Sequence, residues 1–193
     1  MRFLAAVLAV LAMALAACGE PAHFNATDIT GADWGKDFAL IDHNGKPRRL
    51  ADFKGKAVVL FFGYTQCPDV CPTNMVAMKE TMKLLGPDAA RVQVLFVTLD
   101  PARDTPKLLA QYVPWFDPSF IGLWGDEKTI ADTAREFKVF YAKHPGSEPG
   151  SYSIDHTASS YVFDPEGRLR LVERHGETPA HVADDLRQLL AGK

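Results

Sequence analysis

Three observations predict an α/β fold built on an open sheet. Two apolar runs rich in β-branched and aromatic residues, Ala57 to Phe62 and Arg91 to Leu99, read as strands buried on both faces. Amphipathic stretches of helical length lie between the strands, and an antiparallel pair followed by one more helix closes the chain. In chain order, Phe38–Ile41 and Arg48–Leu50 flank Asp42-His43-Asn44-Gly45, where Asn-Gly signals a tight turn, so a β-hairpin precedes the first buried strand. A helix is expected from about Pro72 to Leu85, stopped by Gly86-Pro87. Thr105-Pro106 supplies an N-cap and first position for a helix to Tyr112. Phe120–Leu123 is a short strand and Glu127–Phe137 a helix. Ala158–Phe163 and Leu169–Val172 pair around the turn Asp164-Pro165-Glu166-Gly167, and Thr178-Pro179 opens a last helix to Leu190. The result is a central mixed sheet flanked by helices, with an N-terminal hairpin extension.

The N-terminus is of another kind. Arg2, an apolar stretch from Phe3 to Leu15 and the sequence Leu15-Ala16-Ala17-Cys18 form a targeting signal too short for a confident membrane span. Leu-Ala-Ala-Cys resembles the lipobox of bacterial lipoproteins. That resemblance implies cleavage after residue 17, acylation of Cys18 and a membrane-anchored lipoprotein of the bacterial envelope facing the periplasm. The alternative is an ordinary secretory leader that leaves Cys18 as a free thiol. Residues 18–34 are polar and aperiodic and read as a lipidated tether, and residues 35–193 as one domain. With 24 acidic and 21 basic residues the net charge is −3, with no basic cluster, which excludes a nucleic-acid surface and leaves small or proteinaceous partners for a monomer.

The chemistry concentrates in Gly63-Tyr64-Thr65-Gln66-Cys67-Pro68-Asp69-Val70-Cys71-Pro72, which holds the two cysteines outside the leader. It follows a buried strand, at the end of the sheet where ligands gather in open α/β folds. Pro72 suits a first helical position, so Cys71 is expected at the N-cap and Cys67 in the loop before it. Both sulfurs then lie at the positive end of a helix, which favours the thiolates that metal binding and disulfide exchange require. A structural Cys67–Cys71 disulfide is the bland alternative, weakened because so short a loop constrains the unfolded chain little. Of six histidines, His23, His43, His144, His175 and His181 read as solvated side chains. His156 stands just before an apolar strand, beside Asp155, a carboxylate that could orient its imidazole.

Tyr64-Thr-Gln-Cys67-Pro-Asp-Val-Cys71-Pro72, Val97-Thr-Leu-Asp100-Pro-Ala-Arg103-Asp104-Thr105-Pro106 and Asp155-His156-Thr157 together resemble the SCO/SenC/PrrC family, copper-binding proteins of cytochrome c oxidase assembly. The resemblance spans about residues 30 to 190 and implies a thioredoxin-like fold in which Cys67, Cys71 and His156 bind copper. It also implies partners: the copper-bearing subunit of cytochrome c oxidase or another copper chaperone. Two thiolates and an imidazole are a soft set suited to Cu(I) and able to hold Cu(II). Structural zinc would want a fourth protein ligand, and none is evident.

Two further readings stay open. A cysteine pair at a helix start on a thioredoxin-like sheet also suits a membrane-tethered thiol-disulfide oxidoreductase, in which Cys67 and Cys71 cycle through a disulfide. Against it, three residues separate the cysteines where thioredoxins have two, and the stretch from 150 to 164 lacks the thioredoxin proline. A redox or copper sensor is the third. Asp100 and Asp104 read first as turn and cap residues, with Asp100 also placed to shape the field at the site or to receive a partner. Met75, Met78 and Met82 recur at helical spacing and read as core. Trp115 to Pro118 reads as an aromatic loop, either partner surface or core edge.

Overall fold

The structure is a computed structural model that describes residues 23–193. The leader and the lipidation site Cys18 lie outside the described residues. Ten strands are present among them: β1 (Thr27–Asp28), β2 (Leu40–Asp42), β3 (Pro47–Arg48), β4 (Ala57–Gly63), β5 (Val92–Thr98), β6 (Ile121–Trp124), β7 (Tyr141–Pro145), β8 (Tyr152–His156), β9 (Ser160–Phe163) and β10 (Leu169–Glu173). Four α-helices accompany them: α1 (Val70–Leu85), α2 (Pro106–Phe116), α3 (Glu127–Glu136) and α4 (Pro179–Leu190). Eight strands form one mixed sheet in the order β1-β10-β9-β4-β5-β6-β2-β3, and β7 and β8 form a separate hairpin.

β4, β5 and β6 run parallel at the centre, with β9 and β10 antiparallel beyond β4. Every residue of β4 and β5 is buried, because helices cover both faces. Alternation along the strands divides the core. Val59, Phe61, Val94 and Phe96 face Met75, Met78 and Met82 of α1, Leu109 and Val113 of α2 and Leu186 and Leu189 of α4. Val58, Leu60, Phe62, Leu95 and Val97 face Ile130 and Ala134 of α3 and the aromatic group Phe137, Tyr161 and Phe163. The methionine row is therefore core.

The predicted hairpin is present, and Asp42 organises its turn: its carboxylate accepts the N–H of Asn44 and Lys46 and the Nε–H of Arg48. Three expectations change. Residues 25–28, assigned to the tether, belong to the sheet edge: β1 pairs with β10, and buried Asp185 accepts the backbone N–H of Asn25 and Ala26. The helix expected to end at Tyr112 continues through Pro114 to Phe116, since a proline near a helix end forfeits only one internal hydrogen bond. This places Phe116 in the core and leaves Trp115 at 74% exposure. Finally, His144, expected as a solvated side chain, lies in β7 with its Nε2 3.1 Å from the Asp155 carboxylate. No helix among the described residues is long and apolar enough to cross a membrane.

Candidate metal centre

Strand β4 ends at Gly63, and the chain turns through the cysteine loop into α1. The helix starts at Val70 with Asp69 as its N-cap, two residues earlier than expected, so Cys71 lies inside the first turn and not at the cap. Pro72 is tolerated there because the first four N–H groups of a helix have no internal acceptor. Both sulfurs remain at the helix N-terminus. Cys71 is fully buried and Cys67 half-buried, and both are free thiols.

The Cys71 N–H donates to Cys67 Sγ at 3.3 Å. The facing Cys71 thiol, the N–H groups of Asp69 and Cys71 and the His156 ring together pull the Cys67 pKa down to about 5, against its partial burial. Cys71 moves the opposite way: the Cys67 thiolate beside it and its own burial push its thiol well above the ordinary range. One thiolate and one thiol share a proton at neutral pH.

His156 comes from the last position of β8. Its Nε2 lies 3.4 Å from Cys71 Sγ, and its Nδ1 is 2.9 Å from the Thr157 carbonyl. A carbonyl only accepts, so Nδ1 carries a proton, and Nε2 is the ring atom that faces the sulfurs. The ring stands edge-on to Tyr64 and Phe61, with centroids 6.0 and 6.1 Å away. The donor atoms of Cys67, Cys71 and His156 all lie within 4.8 Å of one another, and no fourth His, Cys, Asp or Glu among the described residues joins them. That spacing fits a single ion with bonds of roughly 2.0–2.3 Å, and the soft donor set fits copper.

Asp155 does not orient His156. Adjacent residues of a strand point to opposite sides, so Asp155 turns outward to His144 Nε2 at 3.1 Å, and the Thr157 carbonyl takes the orienting role. Asp100 does act, through the hairpin. It is fully buried, pairs with Arg103 and accepts the Tyr152 hydroxyl of β8 at 2.6 Å. Arg103 stacks 3.5 Å from the centroid of the Tyr152 ring and donates to the Tyr152 carbonyl at 3.0 Å. Two residues on, the Ile154 N–H donates to the Tyr64 hydroxyl at 3.2 Å. These contacts hold the hairpin, and with it His156, over the cysteine loop.

Sequence reasoning missed two contributors, Gly63 and Tyr112, and read a third, Asp104, only as a turn and cap residue. Buried Asp104 ties the loop down by accepting the Thr65 N–H and the hydroxyls of Thr65 and Thr98. Gly63 leaves room for sulfur: a Cβ there would lie 2.8 Å from Cys71 Sγ and 2.9 Å from the Phe61 ring. The Tyr112 hydroxyl is buried without a partner, and its burial together with the nearby thiolates raises its pKa. Only Gly63 left a sequence signal, as a glycine ending an otherwise bulky buried run.

The SCO1/SenC family profile matches residues 26–191. A mouse protein, Protein SCO2 homolog, mitochondrial, is 34% identical over 157 residues, covering 80% of this chain and 62% of the mouse protein. The chain thus spans about three fifths of the length of the mammalian relatives it matches first. Apo Sco1 from Thermus thermophilus superposes with a TM-score of 0.78 at 42% identity, covering 89% of this chain and 99% of that one. Bradyrhizobium japonicum ScoI with copper bound superposes at 0.73 with 40% identity, covering 79% of this chain and 97% of that one. A profile match from the sheet edge at Ala26 to the end of α4, and the same fold in relatives at about two fifths identity, place the chain in the SCO1/SenC family.

Proposed function

We propose that this chain is a copper metallochaperone of the bacterial envelope. In this reading it is anchored by a lipid at Cys18, faces the periplasm and supplies copper for the dinuclear centre of cytochrome c oxidase. The observation that carries the proposal is the convergence of the Cys67, Cys71 and His156 donor atoms within 4.8 Å of one another. A family neighbour solved with copper bound supports it.

In this reading copper is cargo, and the protein's residues prepare its seat. Cys67 is already a thiolate at neutral pH, so it is the entry ligand. Cys71 must release its proton as it ligates, which makes uptake proton-coupled. His156 is held by its Nδ1–H to the Thr157 carbonyl, which leaves Nε2 turned towards the sulfurs as the third donor. Three protein donors leave a position for a ligand from the acceptor protein, as transfer requires.

The test is metal binding by the reduced mature chain, with absorption and EPR spectra recorded beside Cys67→Ala and His156→Ala. One tightly held copper per chain, with sulfur-to-Cu(II) charge-transfer bands lost in both variants, is the expected result. No stable copper, together with rapid exchange of the dithiol with a model disulfide, would replace this reading with a membrane-tethered thiol-disulfide oxidoreductase. That second reading has its own support in the free pair with one thiol at a pKa of about 5.

A further inference from the structure

The end of the sheet opposite the cysteine loop carries a basic cavity that copper binding does not use. It has a volume of about 610 Å³ and is lined by Trp34, Lys36, Arg168, Arg170 and Lys193, among backbone contributed by glycines. Lys138 stands 4.8 Å from the centroid of Trp34. Lys54 and Lys56 flank Gly55, whose N–H donates to the Pro165 carbonyl in the turn that bounds the cavity. The lysines that make ion pairs among the described residues are Lys83, Lys128 and Lys143, so Lys36, Lys54, Lys56, Lys138 and Lys193 are uncommitted.

The local carboxylates are largely spoken for. Asp164 is buried against Arg168 and Arg170, and Glu166 pairs with Arg168. Glu136 accepts the backbone N–H of Lys36 and Asp28 that of Thr30, and these two with Asp33 remain as counter-charge to the five lysines. A chain of net charge −3 therefore gathers free ammonium groups at one end, around an indole.

The chain also enters the fold at this end. The His23 carbonyl accepts Gln188 Nε2 at 2.9 Å, one turn before Gly192 and Lys193, which line the cavity. From Cys18 to His23 is five residue steps, at most about 17 Å of extended chain. A lipid at Cys18 lies within that reach of this end and can hold the cavity at the bilayer surface.

We propose that this cavity and its lysine rim seat the phosphate headgroups of an anionic phospholipid bilayer, so that the domain lies on the membrane with its cysteine loop facing away. Ammonium groups at such a surface are each worth roughly fivefold in affinity, and an indole suits the headgroup level. The orientation rests on the proposed anchor at Cys18, whereas the lysine–phosphate contact does not.

The test uses the mature chain with Cys18→Ser, so that no acyl chain contributes. Co-sedimentation is measured with phosphatidylcholine vesicles, with and without about one third phosphatidylglycerol, at low and high salt. Binding that needs phosphatidylglycerol, disappears at high salt and weakens at least tenfold in the Lys36→Glu/Lys138→Glu/Lys193→Glu variant is the expected result. Equal sedimentation with both vesicle types, or an unchanged triple variant, would overturn the proposal. So would full displacement by inorganic phosphate at an ionic strength at which sodium chloride leaves binding intact, which would mark a free-anion site. Melting temperature and copper stoichiometry of the triple variant are measured alongside. Both should be unchanged, so a failure of the copper reading and a failure of the membrane reading register separately.

Discussion

The two halves of the candidate metal centre are held in different ways. Cys67 and Cys71 leave the central strand β4, fully buried along its length, and Asp104 fastens their loop. His156 arrives on a hairpin outside the main sheet, of whose strand residues only Ile154 is buried and whose position depends on Tyr152, Arg103, Asp100 and Tyr64. The sheet half is set by the core; the hairpin half is set by a few polar and aromatic contacts. Thiolates suit soft Cu(I) and an imidazole matters more for Cu(II), so the proposed copper function predicts that loosening the hairpin half weakens Cu(II) more than Cu(I).

The largest expected effect tests the independence of the sheet half. At pH 7 Cys67 is mostly thiolate, whereas Cys71 is protonated and fully buried. Iodoacetamide followed by peptide mapping should therefore modify Cys67 at least about a hundredfold faster than Cys71, with a pH midpoint near 5. His156→Ala should leave that midpoint nearly in place, because Cys71 and the backbone N–H groups act more strongly on Cys67 than the ring does. The sign of the linked stability follows. A thiol lowered from 9.0 to about 5 stabilises the fold fully above pH 9, and the contribution fades as pH falls towards 5. Equal labelling of the two cysteines, or a midpoint that moves with His156, would join the halves that the comparison separates.

How much of this was legible in the sequence divides along the same line. The buried strands and the cysteine loop were legible because long apolar runs and closely spaced cysteines are local signals, whereas His156 was singled out through the family resemblance of Asp155-His156-Thr157. The β7–β8 hairpin was not: only Ile154 is buried in its two strands, so no alternating pattern marks them. Missing that hairpin led to the wrong role for Asp155, since the alternation of side chains is visible only once the strand is known. The Arg103–Tyr152 contact spans 49 positions and the Tyr64–Ile154 contact 90, beyond the reach of local spacing. The edge strand β1 is two residues long, too short for any periodicity to show.

The second effect breaks the hairpin half. Arg103→Met keeps the bulk of the side chain but strands the buried Asp100 carboxylate and removes the cation from the Tyr152 ring. Losing one partner of a buried pair costs about 3–5 kcal/mol. At roughly 2–4 °C per kcal/mol for a chain of this size, the melting temperature should fall by about 6–20 °C. Cu(II) should dissociate about tenfold faster with an altered EPR spectrum, while Cu(I) affinity changes little. Arg103→Lys restores the charge without the planar stack and should recover part of both losses. Equal weakening of Cu(I) and Cu(II) would show that Arg103 supports the loop and not the hairpin.

The smallest effect isolates one hydrogen bond between the halves. Tyr64→Phe keeps the ring beside His156 but removes the acceptor of the Ile154 N–H, a buried donor that would then be unpartnered. Such a loss costs about 1 kcal/mol or slightly more, a shift of roughly 2–4 °C in melting temperature. The sharper reading is local: hydrogen exchange of the Ile154 amide should speed up severalfold, and Cu(II) should be held about threefold less tightly, while the Cys67 midpoint stays near 5. Tyr64 is the residue that belongs to both regions, leading the cysteine loop while bonding to the strand that ends in His156. If Ile154 exchanges no faster, the hairpin is positioned by Arg103 and Tyr152 alone, and the coupling between thiolates and imidazole runs only through the ligated metal.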